Sequence, residues 1–110
     1  MSASRVSVPE PAEEVVRRFY EFLARGQLVD ALNLFATDAR LRDESKRESS
    51  GIRAIAASLI LYREPQEISV ERIETDGPEV RAVVRSKKGR STGRFSIARG
   101  RIQAAQIQRP

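Results

Sequence analysis

The apolar residues of this 110-residue chain change their spacing at Pro65, and no other feature restricts the fold as much. Before Pro65 they recur every three or four residues, which is one face of a helix. After it they alternate, which is one face of a strand. Helical segments followed by strands, rather than interleaved with them, define an α+β chain with helices gathered on one face of an antiparallel sheet.

The first helix is expected from Pro11, which suits a first helical turn. Glu13 and Glu14 follow, where the helix dipole favours negative charge. Val15, Val16, Phe19, Phe22 and Leu23 form its apolar stripe, Arg17, Arg18 and Glu21 its outer side, and Gly26 its C-cap. Leu28, Ala31, Leu32 and Phe35 predict a second helix, stopped at Thr37-Asp38. Ala39, Leu41 and Asp43 alternate with Arg40 and Arg42, a short strand with these three facing inward. The run Asp43 to Ser50 (DESKRESS) is a polar loop, and Ser49 or Ser50 can cap a third helix with Ile52, Ile55, Ala56 and Leu59 on its inner face.

Four strands remain. The first runs from Glu67 to Thr75, and Ile73 breaks its phase, which predicts a bulge. Turns fall at Asp76-Gly77-Pro78, Lys87-Lys88-Gly89 and Arg99-Gly100. Val80, Ala82 and Val84, then Phe95 and Ile97, face the helices. Residues 1–11 read as a loose tail and 12–110 as a single domain.

Composition removes several kinds of chemistry. The chain has neither histidine nor cysteine, so the commonest base, the commonest metal ligands and any disulfide are missing. No cofactor and no metal site is expected. No apolar run approaches a membrane span and no signal core is present, so a cytoplasmic location is the expectation. Charge is uneven. Residues 1–79 hold all 15 acids and 11 bases, whereas residues 80–110 hold nine bases and no acid.

The segments VVRRFYEFLARGQLVDALNLFATDARLRD (15–43), SGIRAIAASL (50–59) and GRFSIARGRIQAAQI (93–107) together resemble the NTF2-like superfamily, which includes SnoaL-like and ketosteroid-isomerase-like proteins. The resemblance rests on the order of weak motifs and spans nearly the whole chain after residue 12. It implies a cystatin-like cone: three N-terminal helices on a strongly bent antiparallel β-sheet. It also implies a homodimer through the sheet and a small apolar ligand in the cone, lined here by Phe19, Phe22, Leu23, Leu41, Ile55, Leu59, Tyr62 and Phe95.

By the same resemblance Asp43 stands where isomerase members carry their proton-transfer base, so a ketosteroid-isomerase-like or cyclase-like enzyme is the alternative to a plain pocket protein. A carboxylate at an apolar wall would have a raised pKa. The oxyanion-donor tyrosine of those enzymes falls at Phe19, which cannot donate, and Tyr20 should point elsewhere. Epoxide-hydrolase-like chemistry needs a late-strand aspartate that is missing. Arg81, Arg85, Arg94 and Arg101 are expected on the outer face of the sheet, as a solvated face, a dimer interface or a surface for an acidic protein or nucleic acid. The lack of stacking aromatics around them argues against nucleic acid.

Overall fold

A computed structural model describes residues 11–43, 45 and 47–108. Residues 1–10, where the sequence expects a loose tail, lie outside the described residues, as do Glu44, Lys46 and the last two positions. The elements run α1 (Pro11–Ala24), α2 (Leu28–Leu32), β1 (Phe35–Arg42), β2 (Glu48–Ser50), α3 (Ile52–Ser58), a 3-10 turn (Ile60–Arg63), β3 (Ile68–Asp76), β4 (Glu79–Ser86), β5 (Gly89–Ala98) and β6 (Arg101–Gln108). Three helices pack on one mostly antiparallel six-stranded sheet in the order β2-β1-β6-β5-β4-β3. The four C-terminal strands form the expected meander. β6 then pairs in parallel with β1, which carries β2 on its other side.

Several boundaries differ from the sequence reading. α2 ends at Leu32, and Phe35 opens β1 instead of closing the helix. The reason is tertiary: the Ile102 amide donates to the Leu34 carbonyl at 2.8 Å, and Phe35 is in register with Ile102. α3 is preceded by Gly51 with no side-chain cap. Ser49 is buried instead, with its hydroxyl 2.8 Å from that of Ser58. The β3 bulge lies between Val70 and Arg72, two residues before the expected position. It restores the phase that lets Val70 and Ile73 both face the helices.

The α1 stripe is also rotated. Its buried residues are Val16, Phe19, Tyr20 and Leu23, the i, i+3, i+4, i+7 set. Val15 and Phe22 are half-buried on the flanks. Tyr20, expected to point away, therefore faces the sheet. Its N-terminal end is tied down by the Thr75 hydroxyl, which donates to the Glu13 carboxylate at 2.7 Å. At the other end the Gln66 amide donates to the Ala24 carbonyl at 3.1 Å.

Candidate functional site

Three places could hold function: the cone interior, the β1–β2 loop with Asp43, and the outer face of the sheet.

The interior is an aromatic cluster. Phe19 and Phe95 are wholly buried, and Phe35 and Tyr20 nearly so. Phe19 meets Tyr20, Phe35 and Phe95 edge-on, at ring-centroid separations of 5.2, 5.6 and 5.6 Å, and Tyr20 meets Phe95 at 5.8 Å. Such edge-to-face pairs are the favoured aromatic geometry. Leu23, Leu41, Ile55 and Leu59 are buried in the same cluster, and Phe22 and Tyr62 pack against it half-buried. The eight residues expected to line a ligand pocket are thus brought together, packed against one another. Two surface clefts accompany this core. One, of about 310 Å³, is on the outer sheet face. The other, of about 200 Å³, runs between α1 and β3.

Tyr20 adds a polar atom to this interior. Its hydroxyl lies against Gly93 of β5, where a methyl group would overlap it. The hydroxyl is buried and has no hydrogen-bond partner among the described residues. Burial raises the phenol's pKa far above its usual value, and the nearby Tyr62 adds to the rise. The phenol stays protonated, a donor without an acceptor. Sequence reasoning missed Tyr20 because it took the α1 stripe half a residue early. The signal that could have found it is Gly93, the one inward position of β5 without a side chain.

Asp43 follows β1, but its carboxylate turns onto its own loop. Oδ1 accepts from the Ser45 hydroxyl at 2.6 Å, the Ser45 amide at 2.9 Å and the Arg47 amide at 3.2 Å. The expectation of an inward carboxyl with a raised pKa is corrected: the Ser45 hydroxyl bond, followed by the Arg47 and Ser45 amide bonds, holds the pKa below its ordinary value. Aspartate at the head of a turn commonly caps the amides that follow it.

On the outer face, strand register sets side chains in rows. One row reads Glu48, Arg42, Gln106, Arg94, Arg81, Glu74 from β2 to β3. The next reads Ser50, Arg40, Ala104, Ser96, Glu79, Asp76. On the other side of the first row lie Gln108, Thr92, Val83 and Arg72. The arginines are not bare. Arg42 pairs with Glu48 at 3.2 Å, Arg94 with Glu79 at 3.4 Å, and Arg81 and Arg72 each with Glu74 at 3.9 Å. Arg85 and Arg90 share Glu71, at 2.8 and 3.0 Å, and hold its pKa below the usual value. Arg101 leaves this face and donates to the Asn33 carbonyl at 2.8 Å. The acids come from β2, β3 and the start of β4, on a different strand from most of the arginines they meet. Ala105, unlike Ala104, faces the core.

Among the described residues no helix is long and apolar enough to cross a membrane, and no group of three or more acidic side chains could hold a metal ion. No family model matches the sequence, and no curated protein matches it. Solved structures match it closely in shape. An NTF2-like protein of unknown function from Mesorhizobium loti superposes with a TM-score of 0.76 at 16% identity, covering 96% of this chain and 95% of that one. A protein from Sinorhizobium meliloti provisionally named a polyketide cyclase gives 0.72 at 21%, covering 86% and 94%. A protein with a ketosteroid-isomerase-like fold from Catenulispora acidiphila, solved with trimethylamine, gives 0.74 at 14%, covering 94% and 87%. The chain has the NTF2-like fold, of the kind found in SnoaL-like and ketosteroid-isomerase-like proteins. At these identities the likeness extends to the fold and not to an activity.

Proposed function

We propose that this chain is a non-catalytic NTF2-like pairing module, which works as a homodimer through the outer face of its sheet. The observation that carries the proposal is the half-buried neutral patch of the outer face, with Arg81 and Glu79 beside it on β4. The Arg42–Arg94–Arg81 row has three arginines against two glutamates. The Arg40–Glu79–Asp76 row has one arginine against two acids. A two-fold axis lying in the face between these rows sets Arg81 of one copy over Glu79 of the other; it also sets Arg42 over Arg40 and Glu74 over Asp76, so Arg81–Glu79 is the attractive charged pair of the face. Val83, Thr92, Ser96, Ala104 and Gln106 supply a neutral, close-fitting centre. Their half-buried state leaves little side-chain freedom to lose on association.

The packed aromatic interior and the loop-bound Asp43 speak for pairing over the two cone-based alternatives, a small apolar ligand or proton transfer by Asp43. A cysteine-free chain also suits a reducing, cytoplasmic setting.

Sedimentation equilibrium tests the pairing. The native chain should run as a dimer. Arg81→Glu should raise the dissociation constant about tenfold or more, and Arg81→Glu with Glu79→Arg should restore it. A monomer at all concentrations, or a swap that fails to rescue, removes the proposal.

Asp43→Asn tests the loop assignment. Rapid amide exchange at Ser45 and Arg47 with little change in melting temperature is the expected result. The pH dependence has a definite sign. A carboxyl whose folded pKa is depressed stabilises the loop above its ordinary pKa, and that contribution fades as pH falls through the lower, folded value. Protection of these two amides should therefore be lost only under acid conditions, below about pH 4.

A further inference from the structure

β3 is an edge strand: the sheet ends on it, and among the described residues β4 is the strand it pairs with. The turns of the meander decide which of its backbone groups are free. Gly77 and Pro78 alone separate Asp76 from its partner Glu79, and Lys87 and Lys88 alone separate Ser86 from its partner Gly89. Residues that flank a two-residue hairpin loop bond to each other, and along an antiparallel strand the bonding side alternates. Glu79, Arg81, Val83 and Arg85 therefore bond toward β3, whereas Val80, Ala82, Val84 and Ser86 bond toward β5. Register carries this pattern onto β3. Ser69, Arg72, Glu74 and Asp76 are engaged with β4. Ile68, Val70, Ile73 and Thr75 turn their N–H and C=O groups to the open edge. The same four residues face the helices: Ile68, Val70 and Ile73 pack half-buried on the core, and the Thr75 hydroxyl reaches Glu13.

We propose that this edge pairs with the β3 edge of a second copy of the chain, antiparallel, about a two-fold axis between Glu71 and Arg72. The bulge selects that register. It shifts the phase of the strand between Val70 and Arg72, so the free positions are spaced two, three and two apart. An axis midway between Glu71 and Arg72 is the one that matches all four among themselves, Ile68 with Thr75 and Val70 with Ile73. The side chains match in the same register. Val70, which lies at the floor of the α1–β3 cleft, meets Ile73 of the second copy and is covered by it. On the opposite side Glu71 meets Arg72 of the second copy, and the symmetry repeats this unlike pair. Charged side chains on an edge strand ordinarily discourage pairing. Here the two-fold sets opposite signs together, and Arg72 has only a 3.9 Å contact with its own Glu74 to give up. A register shifted by two residues sets Glu71 against Glu74 instead and leaves Ile68 and Ile73 without bonding partners. The ladder stops beyond Ile68 and Thr75, where Glu67 would face Asp76.

Amide hydrogen exchange reads this ladder directly. Measured on the Arg81→Glu variant, it does not depend on the outer-face pairing, which engages side chains and no strand amides. Between micromolar and millimolar protein the amides of Ile68, Val70, Ile73 and Thr75 should slow about fivefold or more, while those of Ser69, Arg72, Glu74 and Asp76, already bonded to β4, keep their rates. Sedimentation equilibrium should show a dimer over the same range. Adding Arg72→Glu gathers four carboxylates about the axis and should weaken that dimer about tenfold, whereas Arg72→Lys should retain it. The Arg72 side chain is exposed, so neither change threatens the fold. A monomer at millimolar concentration overturns the proposal. A dimer whose four edge amides gain no protection, or one indifferent to Arg72→Glu, does so as well.

Discussion

Gly26→Ala is expected to destabilise the fold by on the order of 3 kcal/mol, the largest effect of any single methyl addition considered for this chain. Two separate causes add. Gly26 has φ +74°, the left-handed conformation that ends α1 and that an L side chain adopts only with strain. A Cβ there would also stand 2.6 Å from the Pro65 nitrogen and 2.7 Å from the Glu64 carbonyl carbon. Those are backbone atoms, anchored by the Gln66–Ala24 hydrogen bond, so they cannot rotate aside. Gly77→Ala is the control. Its φ is +65°, but nothing lies within 4 Å of the added methyl, so only the conformational cost of about 1 kcal/mol applies. Urea denaturation of the two variants separates the causes. Equal losses would mean that the 64–65 segment does not press on the helix end.

Gly93→Ala is expected to cost about 1–3 kcal/mol by overpacking, although Gly93 has an ordinary strand conformation. The added methyl would overlap the Tyr20 hydroxyl and stand 2.7 Å from the Phe95 ring. Both rings are held by the edge-on contacts with Phe19, so neither can swing away. Tyr20→Phe alone should be neutral or stabilising by up to about 1 kcal/mol, an unusual direction for a core substitution. It removes a buried hydroxyl that has no partner. In the double variant the alanine should cost about 1 kcal/mol less than it does beside Tyr20, because the hydroxyl overlap is gone and the Phe95 contact remains. Thermal or urea unfolding of the four proteins measures the coupling. Strictly additive effects would show that the hydroxyl does not occupy the space over Gly93.

Both substitutions fall on residues of differing legibility. Gly26 was readable as a helix end, because a left-handed C-cap is a local requirement. That it also lets Pro65 come close was not readable, since the two residues are brought together only when the connection into β3 crosses the end of α1. Gly93 has the same strand parity as the inward Phe95. Its purpose is visible only with Tyr20 above it. Asp43 illustrates the converse. Its parity along β1 was read correctly up to Leu41, which is buried. The carboxylate then followed the nearest unpaired amides, those of its own loop, and local hydrogen bonds outcompeted an apolar wall.

The arginines of β4 and β5 show the same division. Their strand parity put them on the outer face, and Arg81, Arg85 and Arg94 are there. Their chemistry is not that of a bare basic block, because β3 delivers Glu71 and Glu74 beside them, and β4 itself brings Glu79. Charge counted along the chain weights neighbours in sequence, whereas ion pairing depends on neighbours across a sheet.

By itself the sequence determined the order of elements apart from β2, which lies in the run read as a polar loop, the switch from helical to alternating spacing at Pro65, the meander and its turns, and the inward set of most elements. These follow from backbone geometry and from the period of apolar residues, which act over a few positions. Only the tertiary structure decided which arc of α1 is buried, that four aromatic rings meet edge-on in the core, which acids meet which arginines, and that the Tyr20 donor is left without an acceptor. Those outcomes depend on side-chain volumes and polar partners from segments tens of residues apart, and they are fixed only when the helices close over the sheet.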